Sequence, residues 1–212
     1  MKTDDLISSL VADHPSRMHP VWMWLLAGLL AALPLSGALF MMSLGPRPDL
    51  ATAIHSPFFD FKFVVTLALA SAAAALSLHL SRPNASLHGW MWLLALPVGL
   101  LGIGIAADFA VPQRVNWTGR LVGSSSVACM SAIPLFSVPF LIAALLMLRR
   151  GATTRPTLTG AVAGLMSAGL GAAIYAAHCM DDSPLFVATW YTLAAVFVAL
   201  AGAIVGRRVL RF

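Results

Sequence analysis

Six apolar runs, each about as long as a bilayer is thick, leave this chain few other ways to fold. A helix needs roughly 20 mostly apolar residues to cross the hydrocarbon core. The runs cover residues 21–44, 61–80, 90–107, 126–148, 157–179 and 185–205. Inside them the ionisable side chains are Lys62, within a turn of one end, and His79 and His178, near other ends. The pattern predicts an all-α, polytopic membrane protein of six transmembrane helices. Its chemistry is then expected at the helix ends rather than at mid-depth.

Composition supports that class. The 212 residues are 59% hydrophobic and 10% charged, outside the range of soluble domains. Little length remains beyond residues 21–208, the expected membrane domain: a 1–20 amino-terminal segment and a 209–212 tail. The net charge of +5 could suggest nucleic acid in a soluble protein, but the basic residues here sit at span ends, so no direct nucleic-acid contact is expected. Six spans put both termini on one side of the bilayer. Lys2, Arg17, Arg82, Arg149, Arg150, Arg155, Arg207, Arg208 and Arg211 fall on that side, against Arg47, Lys62, Arg114 and Arg120 on the other. Lys and Arg gather in cytoplasmic segments, so both termini are expected in the cytoplasm, with Asp49, Asp60, Asp108, Asp181 and Asp182 on the periplasmic face of a bacterial inner membrane. The first run is too long for the apolar region of a cleaved signal peptide, about 7–15 residues, and lacks its basic start.

Small residues predict how the spans meet. Gly160 and Gly164, and Gly202 and Gly206, form GxxxG pairs; Ser167 and Gly171 extend the first, and Gly99, Gly102 and Gly104 crowd the third span. Such residues let helix backbones approach closely in lipid, where packing drives association. Pro34, Pro97, Pro134 and Pro139 are expected inside spans as static kinks. A transporter would need charged or strongly polar groups at mid-depth, and neither these nor an inverted repeat is visible. The six tryptophans lie near span ends, as interfacial anchors do.

The two cysteines carry the chemistry worth weighing. Cys129 is expected in the first turn of the fourth span and Cys179 in the last turn of the fifth. These spans are consecutive and antiparallel, so both thiols should lie at the periplasmic end. Three readings stay open: two small buried apolar residues, a disulfide in an oxidising compartment, or a thiolate pair holding a soft metal. His178, Asp181 and Asp182 flank Cys179 and are candidate additional ligands. His55, in the first periplasmic loop, could join them; His14, His19, His79 and His88 lie on the opposite side. Met42, Met130 and Met180 make Cu(I) conceivable, since thioethers favour it, although methionine is also ordinary apolar filler.

At the amino terminus, Thr3 is placed to cap a short helix with Asp4 and Asp5 in its first turn, favourable at the positive end of the dipole. Leu6, Ile7, Leu10 and Val11 fall on one face, and Pro15 ends the run. Three turns are too few to be stable alone in water. Membrane-surface helices usually carry a basic polar face, whereas this one is acidic, which favours docking on a cytoplasmic protein.

The opening Met-Lys-Thr-Asp-Asp-Leu-Ile, the Cys129-Met-Ser-Ala-Ile-Pro134 segment, and Tyr175-Ala-Ala-His-Cys179 followed by Pro184-Leu-Phe-Val-Ala-Thr-Trp-Tyr191 resemble the NrsF family. Its members are bacterial inner-membrane negative regulators of an extracytoplasmic-function (ECF) sigma factor, sigma-F. The resemblance runs the length of the chain. It implies a non-enzymatic anti-sigma factor that holds its sigma factor at the membrane, and the amino-terminal helix read above, with Asp4, Asp5, Leu6, Ile7, Leu10 and Val11, is the expected binding element. It also implies two cysteines, matching Cys129 and Cys179, in the response to heavy-metal or oxidative stress. No obligatory cofactor follows; a soft or heavy-metal ion enters only as the signal. The alternatives are a small metal or solute transporter, and a membrane thiol-redox protein, although the usual C-x-x-C relay pair is missing.

Overall fold

A computed structural model describes residues 3–12, 20–83, 85–110 and 117–211. Six helical stretches among them are long and apolar enough to cross a bilayer: Val21–Ser43, Pro57–Leu80, Trp90–Phe109, Trp117–Leu148, Pro156–Ala176 and Pro184–Val209. They match the six runs in the sequence, with shifted ends. The elements are α1 (Thr3–Ala12), α2 (Val21–Ser43), α3 (Leu50–Ala53), α4 (Pro57–Leu80), a 3-10 turn (Trp90–Leu94), α5 (Ala95–Phe109), α6 (Trp117–Val122), α7 (Ser126–Leu148), α8 (Pro156–Ala176), α9 (Pro184–Phe186), a π-helical turn (Val187–Tyr191) and α10 (Thr192–Val209).

Proline sets several starts. Pro57, Pro156 and Pro184 open α4, α8 and α9, where the missing N–H would have no helical partner anyway. Pro97 belongs with these starts rather than with the kinks: it lies in the first turn of α5, directly after the 3-10 turn. Pro34, Pro134 and Pro139 do lie inside α2 and α7. Gly45 closes α2 at φ 69° and donates its N–H to the Phe40 carbonyl, the left-handed ending that glycine adopts without steric cost.

Helix α8 is the centre of the bundle, and its glycines are the reason. A methyl on Gly164 would meet the Val198 carbonyl oxygen of α10 at 2.6 Å, and one on Gly206 would meet the Gly160 Cα at the same distance. Both GxxxG pairs are thus spent on each other inside the chain. Gly169 faces the Thr66 carbonyl and Ala70 of α4, and Gly171 faces Ser137 and Ile133 of α7. The third span differs from expectation. Gly104 abuts Phe61, but Gly99 and Gly102 have nothing within 4 Å; α5 is peripheral and leaves Leu96, Val98 and Ile103 exposed.

The buried side chains form two main groups at opposite ends. One gathers Leu25, Leu76, Leu80, Leu148, Met166 and Leu210 near the start of α2 and the end of α10. There the 149–155 turn packs on the end of α4: Ala152 N–H donates to the Ser81 carbonyl at 2.9 Å, and Arg150 stacks 3.6 Å over Trp24. The other group holds Phe40, Cys129, Phe136, Tyr175, Cys179, Phe186 and Tyr191. The alternating helix directions therefore put both cysteines at the end remote from the chain ends of the bundle.

Helix α1 forms over Thr3–Ala12 with Asp4 and Asp5 in its first turn. Thr3 is its first helical residue rather than a flanking cap. The Thr3, Asp4, Asp5, Ile7, Ser8 and Ser9 side chains are exposed. Pro15, His14, Arg17 and His19 lie outside the described residues, as do Lys2 and Arg114.

Candidate functional site: a cysteine pair under a charge-held turn

Helix α8 stops at Ala176, one turn earlier than the apolar run suggests, so Cys179 lies beyond it in the 177–183 turn rather than in the last helical turn. Cys129 occupies the first turn of α7, as expected, with its N–H on the Ser125 carbonyl. Both side chains are 0% exposed and both thiols are free. They share one apolar cluster with Tyr175 and Tyr191, whose rings are 5.9 Å apart. The Tyr191 hydroxyl is enclosed beside Cys179 with no partner in hydrogen-bond geometry among the described residues. Burial pushes the Cys179 thiol above its ordinary pKa, opposed by the nearby Lys62 charge.

The turn that carries Cys179 is held by side-chain and backbone bonds to three other segments. The His178 Nδ1 pairs with the Gly45 carbonyl at 2.9 Å, and Arg47 N–H donates to the Ala177 carbonyl at 3.1 Å. The Cys179 carbonyl accepts from Lys62 Nζ at 2.8 Å and from Arg47 Nη1 at 3.3 Å. Asp182 bridges the same two cations, 2.6 Å from Lys62 Nζ and 3.1 Å from Arg47 Nη1. Arg47 is further clasped by Asp49 through two bonds of 2.7 Å, and that pairing holds Asp49 below the usual carboxylate range and Arg47 above its ordinary value. Phe59 lies under both cations, with ring-centroid distances of 5.6 Å to Arg47 and 5.3 Å to Lys62. Asp181 accepts from the Ser124 and Ser125 N–H groups at 3.1 and 2.9 Å. That sets a carboxylate at the start of α7, where the helix dipole favours it.

Of the five candidate sensing residues, the fold brings Cys129 and Cys179 into one cluster and engages the others differently. His178 fastens the turn to α2, Asp181 caps α7, and Asp182 balances two cations. Among the described residues no group of three or more His, Cys, Asp or Glu is placed to hold a metal ion. Cys129 and Cys179 stand there as a pair within the apolar cluster. His55 does not join it: its ring is exposed and pairs with the Ala51 carbonyl. Met42 and Met180 are exposed, while Met130 packs on the cysteine cluster. The 108–125 connection is not plain loop, since α6 lies within it. Arg120 of α6 pairs with the buried Asp108, and the Leu121 carbonyl accepts from Trp190 Nε1 at 2.9 Å.

Sequence reasoning missed the role of Lys62, Arg47 and Asp49. The signal was present in Lys62. A lone ammonium inside an apolar span demands a partner, and with α4 starting at Pro57 rather than near residue 61 it sits more than one turn deep. Removing one partner of a buried ion pair typically costs about 3–5 kcal/mol, so this cluster counts among the stronger constraints on the fold.

Six helices long and apolar enough to cross a bilayer, with two enclosed cysteines in one apolar cluster, define the class: an all-helical protein suited to a membrane. The family described as negative regulator of sigma F, NrsF, matches residues 10–212, and the chain belongs to it. It is similar to the anti-sigma-F factor NrsF of Caulobacter vibrioides (strain NA1000 / CB15N), 36% identical over 216 residues, and to the probable anti-sigma-F factor NrsF of Azospira oryzae, 31% identical over 219 residues; each alignment covers 100% of both chains. The family match begins inside α1, whereas both relatives align from end to end. No solved structure matches the chain.

Proposed function

We propose that this protein is a membrane-bound anti-sigma factor that sequesters an ECF sigma factor of the sigma-F type on the cytoplasmic side of a bacterial inner membrane. The observation that carries the reading is end-to-end similarity to two proteins named as anti-sigma-F factors. The excess of Lys and Arg on the side of the termini supports an arrangement with both termini in the cytoplasm. Exposed α1, with Asp4 and Asp5 on its first turn and Leu6, Ile7, Leu10 and Val11 along it, is the docking element. The reading assigns no catalytic step.

In this reading Cys129 and Cys179 receive the signal at the periplasmic end. A soft heavy-metal ion binds both thiols, displacing their protons, or an oxidant takes two electrons and two protons from them and leaves a disulfide. Either product changes the packing between α7 and the 177–183 turn, and the sigma factor is released. A signal acts only through its different affinity for the two states, and a swing from 99:1 to 1:99 needs about 5.5 kcal/mol of that difference. The transporter alternative finds little support. The cavity of about 230 Å³ between α4, α5, α8 and α10 is lined by side chains such as Leu69, Leu101, Leu165 and Ala195, a poor path for an ion.

Purification of the full-length protein from solubilised membranes, with mass spectrometry of what accompanies it, tests the reading. An ECF sigma factor is expected to co-purify from unstressed cells and to be depleted after exposure to a soft metal such as Cd²⁺. Co-purification of no sigma factor in either condition refutes it.

A further inference from the structure

We infer that Lys62 is the positioning residue that keeps the cysteine pair covered, with Asp182 as its counter-charge. The two thiols are fully enclosed, so an ion or oxidant reaches Cys179 only when the 177–183 turn lifts. Lys62 opposes that motion from below. Its ammonium, itself fully buried, bonds the backbone carbonyl of Cys179 and the carboxylate of Asp182 at once. It thereby fixes both ends of the segment that carries the thiol. Arg47 reaches the same carbonyl and carboxylate, but it comes from the connection after α2, whereas Lys62 is anchored in a 24-residue helix.

The charge count makes the idea specific. Arg47, Lys62, Asp49 and Asp182 sum to zero. Lys62→Met leaves one excess negative charge at the part-exposed Asp182, and Asp182→Asn leaves one excess positive charge on the buried cations. Changing both leaves Arg47 paired with Asp49 and no excess. An uncompensated buried charge draws water and opens its surroundings, whereas a neutral replacement of the pair is tolerated. Helix α4 also gives the clamp a reach. About 36 Å long at 1.5 Å per residue, it ends where the Ser81 carbonyl accepts the Ala152 N–H of the turn on the other face. Lys62 thus joins the cover of the thiols to an element that contacts both ends of the bundle.

The test is the rate at which N-ethylmaleimide labels Cys179 in full-length protein in native membranes, in a Cys129→Ser background. Lys62→Met and Asp182→Asn are each expected to raise the rate about tenfold or more, and the double variant to return to within about threefold of the parent. Lys62→Arg, which keeps the charge, should stay closer to the parent than Lys62→Met. A simple packing role predicts a double variant at least as reactive as the worse single, and that result overturns the inference, as does an unchanged rate in Lys62→Met. Where Lys62→Met fails to accumulate, the comparison moves to protein level: recovery on adding Asp182→Asn supports the clamp, and no recovery refutes it. The consequence for signalling rests on the cysteine pair being the sensor. Faster labelling without increased sensitivity of the target genes to Cd²⁺ would leave the clamp standing and count against that reading alone.

Discussion

Cys129 and Cys179 are enclosed thiols, and that burial shapes how they can be tested. Serine nearly preserves their volume, so a purely packing role predicts almost unchanged behaviour for Cys129→Ser and Cys179→Ser. If the pair receives the signal, either substitution blocks induction of the target genes by soft metals while repression without stress persists. Because both belong to one site, the double variant should be no worse than either single; additive losses would point to two separate roles. His178→Ala distinguishes a ligand from a fastener. Its ring is bonded to the Gly45 carbonyl, so we expect metal responsiveness to remain and the resting repression to weaken, read as raised reporter activity in unstressed cells. At this scale the sequence was half legible. Matching depth brought the two cysteines together correctly because helix direction and length set depth. Which neighbours pointed where depended on the 177–183 turn leaving its helix early, and no periodicity encodes that.

At the scale of elements, apolar length located every span, and the GxxxG pairs marked faces for packing inside the chain, which the fold spends on the contact between α8 and α10. Glycine spacing alone could not rank the spans. The same residue type that brings α8 against three neighbours lies unused at Gly99 and Gly102, because what counts is the helix opposite. Helix α1 was legible from its acidic first turn and its apolar spacing. Its role is tested by Leu6→Asp combined with Leu10→Asp, which places charge along the expected apolar face without touching a span. The expected outcome is normal insertion, loss of sigma-factor co-purification and target genes active without stress. Full repression at normal protein level would move the docking surface to the turn that follows α4 and to residues 149–155, which pack on each other at the same end.

For the whole molecule, alternating helix direction makes orientation a single two-way question. Reporter fusions at the carboxyl terminus and within residues 149–155 are expected to behave as cytoplasmic, and fusions at Asp49 or within α6 as exported. A cytoplasmic signal from α6 would put the thiols on the wrong side for a periplasmic stimulus. The count of six spans followed from hydrocarbon thickness alone, a constraint so strong that local detail hardly disturbs it. The ion cluster beneath the turn did not follow, because it joins Arg47, Asp49 and Lys62 to a segment more than a hundred residues away, a meeting that only the assembled bundle specifies.

The contact between α8 and α10 has a mechanical corollary. Gly160, Gly164, Gly202 and Gly206 press backbone on backbone near the chain-end face, while toward the thiol end Tyr175 and Tyr191 stand between the same two helices. Backbone in contact has no side chain left to yield, whereas a ring can turn. Two rods pinned near one end swing most at the other, like scissor blades about a rivet. A displacement that began beside Cys179 would therefore be smallest where the four glycines meet, and the pair α8 and α10 is built to hold its spacing there.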